Sequence, residues 1–245
     1  MRAMVLAAGL GTRLRPITDS RPKALVEVNG RTLLEITLER LRHFGIQDVV
    51  INAHHFAEML VEYLRAHDNF GMTVAVSREP ELLDTGGGLK QAAELLLRGG
   101  YRDPVLVHNV DVLSALDLNA LVRAHQQRAA LATLAVQHRE GSRQLLFDSA
   151  GMLCGRHTRG LQPEMVRATA QPEAWAFCGV HVLSPEIFAR LDQAAAFPII
   201  GSYLRLADEG AAICTYHADG VYWRDLGTAA SLQQAADDLA SGNVR

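Results

Sequence analysis

Lysine is almost missing from this chain of 245 residues: of 24 basic residues only Lys23 and Lys90 are lysines, and the other 22 are arginines. A compact, flexible ammonium and a rigid guanidinium fork are not interchangeable, so the two lysines mark positions of interest, and both fall in motifs. Cysteine is scarce as well. Cys154, Cys178 and Cys214 stand far apart with no C-x-x-C pair, which argues against a zinc ribbon or a redox dithiol and reads as three buried free thiols. Ten histidines are scattered, and the only close pair, His54 and His55, is adjacent, so its rings point different ways on a strand or a helix and no zinc site is expected. No apolar run approaches the ~20 residues of a membrane span. No charged, apolar and cleavage-site pattern follows Met1, so a cytoplasmic protein is expected. A net charge of -3 and a pI near 6.4 give no global attraction to nucleic acid or to an anionic membrane. Phosphate binding would have to come from local charge. There is no internal repeat, low-complexity tract or Pro/Ser-rich linker, and 49% hydrophobic composition is enough for a full core, so a single domain over residues 1–245 is expected.

What the chain does have is concentrated first between Met4 and Lys23, MVLAAGLGTRLRPITDSRPK. The apolar run Met4 to Ala7 predicts a buried strand that empties into a loop with Gly9, Gly11, Thr12, Arg13 and Arg15. At the carboxyl end of a parallel strand, small residues let backbone N–H groups approach a phosphate, and arginines add fixed positive charge. Lys23 follows Pro22 on a stiffened turn. The loop is neither of two better-known phosphate loops. A Walker A sequence needs G-x-x-x-x-G-K-[ST], and the Rossmann fingerprint needs a glycine where Leu14 stands.

Beyond the loop, Ala24 to Val28 predicts a short strand ending in the turn Asn29-Gly30. Thr32 caps a helix with Leu34, Leu38, Leu41 and Phe44 on one face, and Gly45 stops it. Strands are predicted at Val49 to Ile51 and Met72 to Val76, with a helix from Ala57 to Leu64 between them. This repeated strand, helix, strand order argues for a parallel sheet covered on both faces, the doubly wound α/β class. A second motif, Asp84-Thr85-Gly86-Gly87-Gly88-Leu89-Lys90, opens the next helix. Three glycines carry a large entropic cost, which predicts a bare backbone for close ligand approach. The strand Val105 to Val107 leads to Asn109-Val110-Asp111, where an aspartate just beyond a central strand is placed to meet a metal-bound phosphate. Helices are expected at Leu118 to Ala129, after Pro185 and at Phe197 to Ala207, and strands at Leu131 to Val136, Ala176 to Val182 and Ile213 to His217. Arg139 to Trp175 is the least regular segment, with short strands expected at Gln144 to Phe147 and Met152 to Cys154. Thr228 caps a terminal helix with Leu232, Ala235, Ala236 and Leu239 on its apolar face.

The order L-A-A-G-x-G-T-R-L-R-P-x-T followed by P-K resembles the signature of the sugar-1-phosphate nucleotidyltransferases, which join a nucleoside triphosphate to a sugar 1-phosphate. Asp84-Thr85-Gly86-Gly87-Gly88 looks most like the bacterial uridylyltransferases acting on N-acetylmuramate 1-phosphate, and Trp223-Arg224-Asp225-Leu226-Gly227-Thr228 resembles the family's W-x-D-[VIL]-G-T. The resemblance covers nearly the whole chain. It implies a Rossmann-like, GT-A-like fold with a mainly parallel mixed sheet flanked by helices on both faces; because the sequence ends soon after the terminal helix, the repeat-built C-terminal domain of larger family members is not expected. It also implies that Leu6, Ala8, Gly9, Gly11, Thr12, Arg13 and Gly86 to Gly88 hold the nucleotide, that Arg13 and Lys23 act in catalysis, and that Asp111 and Asp225 bind Mg²⁺. Asn109 and Gly179 would face the sugar. Two departures fall on the acceptor side: Val110 replaces the usual glycine, and no Glu-Lys-Pro-like segment is present, with Arg156, His157 and Arg159 as the available substitutes. UTP and an N-acetylated amino-sugar 1-phosphate are the leading pair. A cytidylyl- or guanylyltransferase for another phosphorylated acceptor, and a catalytically silent nucleotide-sugar-binding protein, stay open.

Overall fold

Four buried residues in succession, Ala3 to Leu6, put the first strand at the centre of the computed structural model, which describes residues 1–192 and 194–242. In chain order the strands are β1 (Arg2–Leu6), β2 (Glu27–Val28), β3 (Arg31–Thr32), β4 (Asp48–Ala53), β5 (Thr73–Arg78), β6 (Val105–Asn109) and β7 (Val112–Ser114). They continue as β8 (Ala132–Gln137), β9 (Arg143–Phe147), β10 (Leu153–Thr158), β11 (Glu164–Met165), β12 (Glu173–Leu183), β13 (Ile213–His217) and β14 (Trp223–Asp225). The helices are α1 (Leu33–His43), α2 (Ala57–Ala66), α3 (Asp84–Leu96), α4 (Leu118–Gln127), α5 (Ile199–Asp208) and α6 (Ala229–Ala240). β1 pairs in parallel with β4 and β6, and β4 with β5. β12 is antiparallel to both β6 and β8, β13 is parallel to β8, and β9 to β11 extend the sheet from the outer half of β12. The result is a mainly parallel mixed sheet of the Rossmann-like α/β class.

Alternation along β1 divides the core in two. Ala3 and Val5 pack with the apolar stripes of α1, α2, α4 and α6, while Met4 and Leu6 pack on the other face with α3 and α5. Local chemistry sets the helix ends: the Thr32 hydroxyl accepts from Glu35 N at 3.0 Å, and Thr228 forms a capping box with Ser231. Three expectations shift. Lys23–Leu25 is a single 3-10 turn, leaving only Glu27–Val28 as strand before the Asn29-Gly30 turn. The segment Pro185–Arg190 is 3-10 throughout. α5 starts at Ile199 because Pro198 takes the capping position ahead of it. Among the described residues no helix is long and apolar enough to cross a membrane.

Burial also fixes a pH dependence. His125 is 1% exposed, with ring nitrogens 3.0 Å from Thr133 Oγ1 and 3.0 Å from Ser184 Oγ. Burial lowers its pKa to about 4, and that of His108 to about 4, with Arg40 adding to the effect. His181, whose two nitrogens are buried without a partner, is lowered to about 3 by burial and then by His108. Because the folded values lie below the unfolded 6.5, the unfolded chain binds the extra protons, so this stability is full above pH 6.5 and falls as pH drops through the window. Each histidine should cost about 1 kcal/mol per pH unit below that point. Denaturant midpoints at pH 7 and pH 5 are expected to differ in that direction; equal midpoints would contradict the assignment.

Candidate active site

The carboxyl ends of β1, β4 and β6 open into a cavity of about 630 Å³, where the topology of a parallel sheet puts ligands. The β1 loop supplies Leu6, Ala8, Gly9, Gly11, Thr12 and Arg13, and Lys23, Asn109, Val110, Asp111 and Gly227 stand around it. Gly11 is left-handed (φ 65°), and a Cβ there would lie 2.8 Å from Thr18 Cγ2 and 3.2 Å from Lys23 Cβ. Glycine is therefore required for the turn that seats Lys23. Gly9 has nothing within 4 Å of a notional Cβ and leaves its backbone open.

Two ion pairs organise the charge. Lys23 is buried at 8% exposure on the turn after Pro22, and its Nζ bonds Asp111 Oδ2. Arg13, largely exposed, lies 3.5 Å from Asp225 Oδ1. The two aspartates, remote in sequence, become backbone neighbours because β14 pairs with β7: Asp225 stands opposite Val112, and Leu226 N donates to the Asp111 carbonyl at 2.8 Å; Asp111 lines the cavity and Asp225 does not. Asp225 Oδ1 also accepts from Gly227 N at 3.0 Å. Among the described residues no cluster of three or more His, Cys, Asp or Glu side chains could hold a metal by itself. The hard carboxylates of Asp111 and Asp225 are of the type that suits Mg²⁺, which takes one or two carboxylates and completes its shell with water and substrate phosphate.

The glycine triplet does something other than expected. Asp84 and Thr85 face the cavity, but Gly86, Gly87 and Gly88 lie within the first turns of α3 and do not line it. Gly86 N and Gly87 N donate to the Phe197 carbonyl at 2.9 and 3.3 Å, so the helix start is closed by protein. A Cβ on Gly86 would run into the Phe197 ring and one on Gly87 into the Ala195 carbonyl, while one on Gly88 would sit 2.6 Å from Glu79 Oε1 and 2.7 Å from Asn52 Nδ2. The bare backbone serves packing, and it brings Ala196, Phe197 and Pro198 onto the cavity wall. Gly88→Ala is therefore expected to destabilise by roughly 1–3 kcal/mol despite alanine's better helix propensity. Gly201→Ala, in α5 with nothing within 4 Å, is expected to be neutral or slightly stabilising. Matched thermal melts check the contrast, and equal shifts would contradict it.

Reading the sequence missed Asn52 and Glu79. Asn52 Oδ1 accepts from Ala7 N at 2.7 Å, its Nδ2 donates to Glu79 Oε1 at 2.6 Å, and Glu79 Oε2 accepts from Leu83 N at 3.2 Å. This buried chain ties the β1 loop to the start of α3. The available signal was an asparagine closing the apolar run of β4. Val110 buries its side chain in the core while its N–H donates to the Leu6 carbonyl at 3.1 Å, so the missing glycine leaves the strand end intact. Gly179 (φ 72°) does not line the cavity; it abuts Asn109, whose Nδ2 would lie 2.8 Å from a Cβ. Arg156 pairs with Glu164 and Arg159 with Glu140, and neither they nor His157 line the cavity. Lys90 Nζ donates to the Asp192 carbonyl at 2.9 Å, and Lys90 does not line the cavity.

The family model described as "Nucleotidyl transferase" matches residues 2–144. The N-acetylmuramate alpha-1-phosphate uridylyltransferase of Caulobacter vibrioides is 35% identical over 234 residues, 92% of this chain and 91% of that protein. The UTP–glucose-1-phosphate uridylyltransferase of Synechocystis sp. is 28% identical over 259 residues, spanning all of this chain but only 65% of that longer protein. In fold, HddC from Yersinia pseudotuberculosis complexed with GMP-PN superposes with a TM-score of 0.78 over 97% of this chain and 99% of that one, at 19% identity. Matched by the family model over more than half its length and by the Caulobacter protein over nearly all of it, the chain belongs to the nucleotidyl transferase family of enzymes.

Proposed function

We propose that the enzyme transfers the uridylyl group of UTP to a sugar 1-phosphate of the N-acetylmuramate or N-acetylglucosamine type, releasing pyrophosphate, with Mg²⁺ as its metal. The observation that carries the chemistry is the convergence of Lys23, Asp111 and Arg13 on one cavity at the end of β1 and β6, with Asp225 paired to Arg13 beside it. The base and the acceptor rest on the likeness to the Caulobacter protein. An oxygen of the sugar 1-phosphate forms a bond to the α-phosphorus as the bond to the β-phosphate bridging oxygen breaks, and the electron pair leaves with pyrophosphate. Such a transfer asks for positioning and for stabilisation of negative charge more than for covalent help. The exposed Arg13 is assigned to the departing β and γ groups, and the buried Lys23 to charge developing at the α-phosphate. Leu6, Ala8 and Gly9 would offer backbone contacts to the nucleotide. Asp111 and Asp225 would hold Mg²⁺, which supplies Lewis-acid charge withdrawal when bound. With UTP as donor, we place the reaction in the cytoplasm.

Pyrophosphate release over four nucleoside triphosphates and a panel of sugar 1-phosphates, with and without Mg²⁺, tests the proposal. The fastest release is expected from UTP with an N-acetylated amino-sugar 1-phosphate. A preference for GTP or CTP would replace the proposed base, and failure with every pair alongside nucleotide-sugar binding would make the protein a silent binder.

A further inference from the structure

The apolar run of β4 ends on a buried polar residue: Asn52 is 3% exposed, after Val49, Val50 and Ile51 at 0%. Leu6 faces Asn52 in the last pair of the β1–β4 ladder, and just past it the buried N–H of Ala7 is taken by the Asn52 side chain. Asn52 Oδ1 accepts from Ala7 N at 2.7 Å, Asn52 Nδ2 donates to Glu79 Oε1 at 2.6 Å, and Glu79 Oε2 accepts from Leu83 N at 3.2 Å. Glu79 is 4% exposed, and among the described residues only these neutral donors bond its carboxylate. A buried amide and a buried carboxylate are unfavourable unless their donors and acceptors are matched. Here they are matched in one direction only: two N–H groups point at the carboxylate, and one points at the amide oxygen. A Cβ on Gly88 would press on both side chains, so the helix stays bare where the pair sits.

This relay links two walls of the cavity. Ala7, Ala8 and Gly9 belong to one, and Leu82, Asp84 and Thr85 to the other, with Asn52 and Glu79 lining the cavity as well. Asn109 and Asp111 follow β6, on the opposite flank of β1 from β4, and none of the three bonds reaches them. We propose that Asn52 is a positioning residue for the nucleotide. Acting through Ala7 N and Glu79, it fixes the β1 loop against the start of α3 and so sets the affinity for the nucleoside triphosphate, leaving that for the acceptor alone. An apolar side chain of similar size would fill the space but leave the Ala7 N–H and one carboxylate oxygen without partners. The inference rests on the functional reading above, which gives the β1 loop to the nucleotide.

The test is a double-mutant cycle read by steady-state kinetics and thermal melts, with UTP or whichever nucleoside triphosphate the wild type uses. Asn52→Asp keeps an oxygen for Ala7 N but sets a second carboxylate against Glu79. Its KM for the nucleotide is expected to rise roughly 10- to 100-fold, from a lost charge-assisted bond and a like-charge contact, with KM for the sugar 1-phosphate unchanged. Glu79→Gln offers one oxygen where two N–H groups point, and a smaller rise is expected. The double variant Asn52→Asp/Glu79→Gln reverses the middle bond. The carboxylate at position 52 accepts from Ala7 N and from the amide at position 79, whose oxygen accepts from Leu83 N. It is expected to bring the nucleotide KM back close to the wild-type value. No rescue would mean that these groups act on the nucleotide directly, which overturns the positioning role, as does an unchanged KM in Asn52→Asp. A parallel rise of both substrates' KM values with a lowered Tm marks a merely structural role and also overturns it. If the wild type turns over no sugar 1-phosphate, the functional reading fails by itself. Calorimetric binding of UTP, GTP, CTP and ATP to the same proteins then decides the role of Asn52: weaker binding by Asn52→Asp that the double variant restores supports it, and equal binding, or none, overturns it.

Discussion

Lys23→Ala is expected to lower kcat by ~10²-fold or more while leaving the protein folded. The ammonium sits in a buried slot formed by the turn after Pro22 and the left-handed Gly11, and its partner is Asp111. A donor held in place before the reaction needs no reorganisation as negative charge develops, which is why its loss falls on turnover. The structural effect is smaller, because the Asp111 carboxylate left behind is partly exposed and can be hydrated. Lys23→Arg is expected to rescue poorly, since a planar fork does not occupy the slot of a compact ammonium. Single-turnover rates with matched thermal melts check this. Unchanged turnover, or loss of the fold with no selective loss of activity, would sink the assignment.

Asp225→Asn should cost a similar factor, roughly 10²-fold or more, and should show it as a changed metal requirement. An amide oxygen can still accept the Gly227 N–H, so the turn at the end of β14 is preserved while the charge that faces Arg13, and that is proposed to bind the metal, is lost. Asp111→Asn removes the other proposed ligand and the counter-charge of Lys23 together. Activity against Mg²⁺ concentration is the readout. Both variants are expected to need far more Mg²⁺ than wild type, or to fail at any concentration; titration curves that superpose on the wild-type curve would exclude these carboxylates as the metal site.

The α/β order was readable because the sheet's interior strands are continuous apolar runs and its helices carry apolar stripes, as in Val49 to Ile51 followed by Leu60 and Leu64. The turn after β1 was readable because its glycines act locally, Gly11 through its own φ. What depended on distant partners was not. The need for three bare residues after Thr85 was evident, but Phe197 and the Asn52–Glu79 pair, which fill the space a Cβ would take, come from other parts of the chain. The same holds for the meeting of Asp111 and Asp225, which depends on two three-residue strands too short to show a pattern.

One cavity is proposed to join the α-phosphate of UTP to a sugar 1-phosphate. Phosphorus NMR of the wild-type protein with UTP, N-acetylmuramate 1-phosphate and Mg²⁺ tests it most directly. A UDP-sugar and pyrophosphate are expected to appear in equal amounts, and neither after the metal is chelated. Intact UTP, or its breakdown to UDP or UMP with the sugar phosphate unchanged, would contradict it.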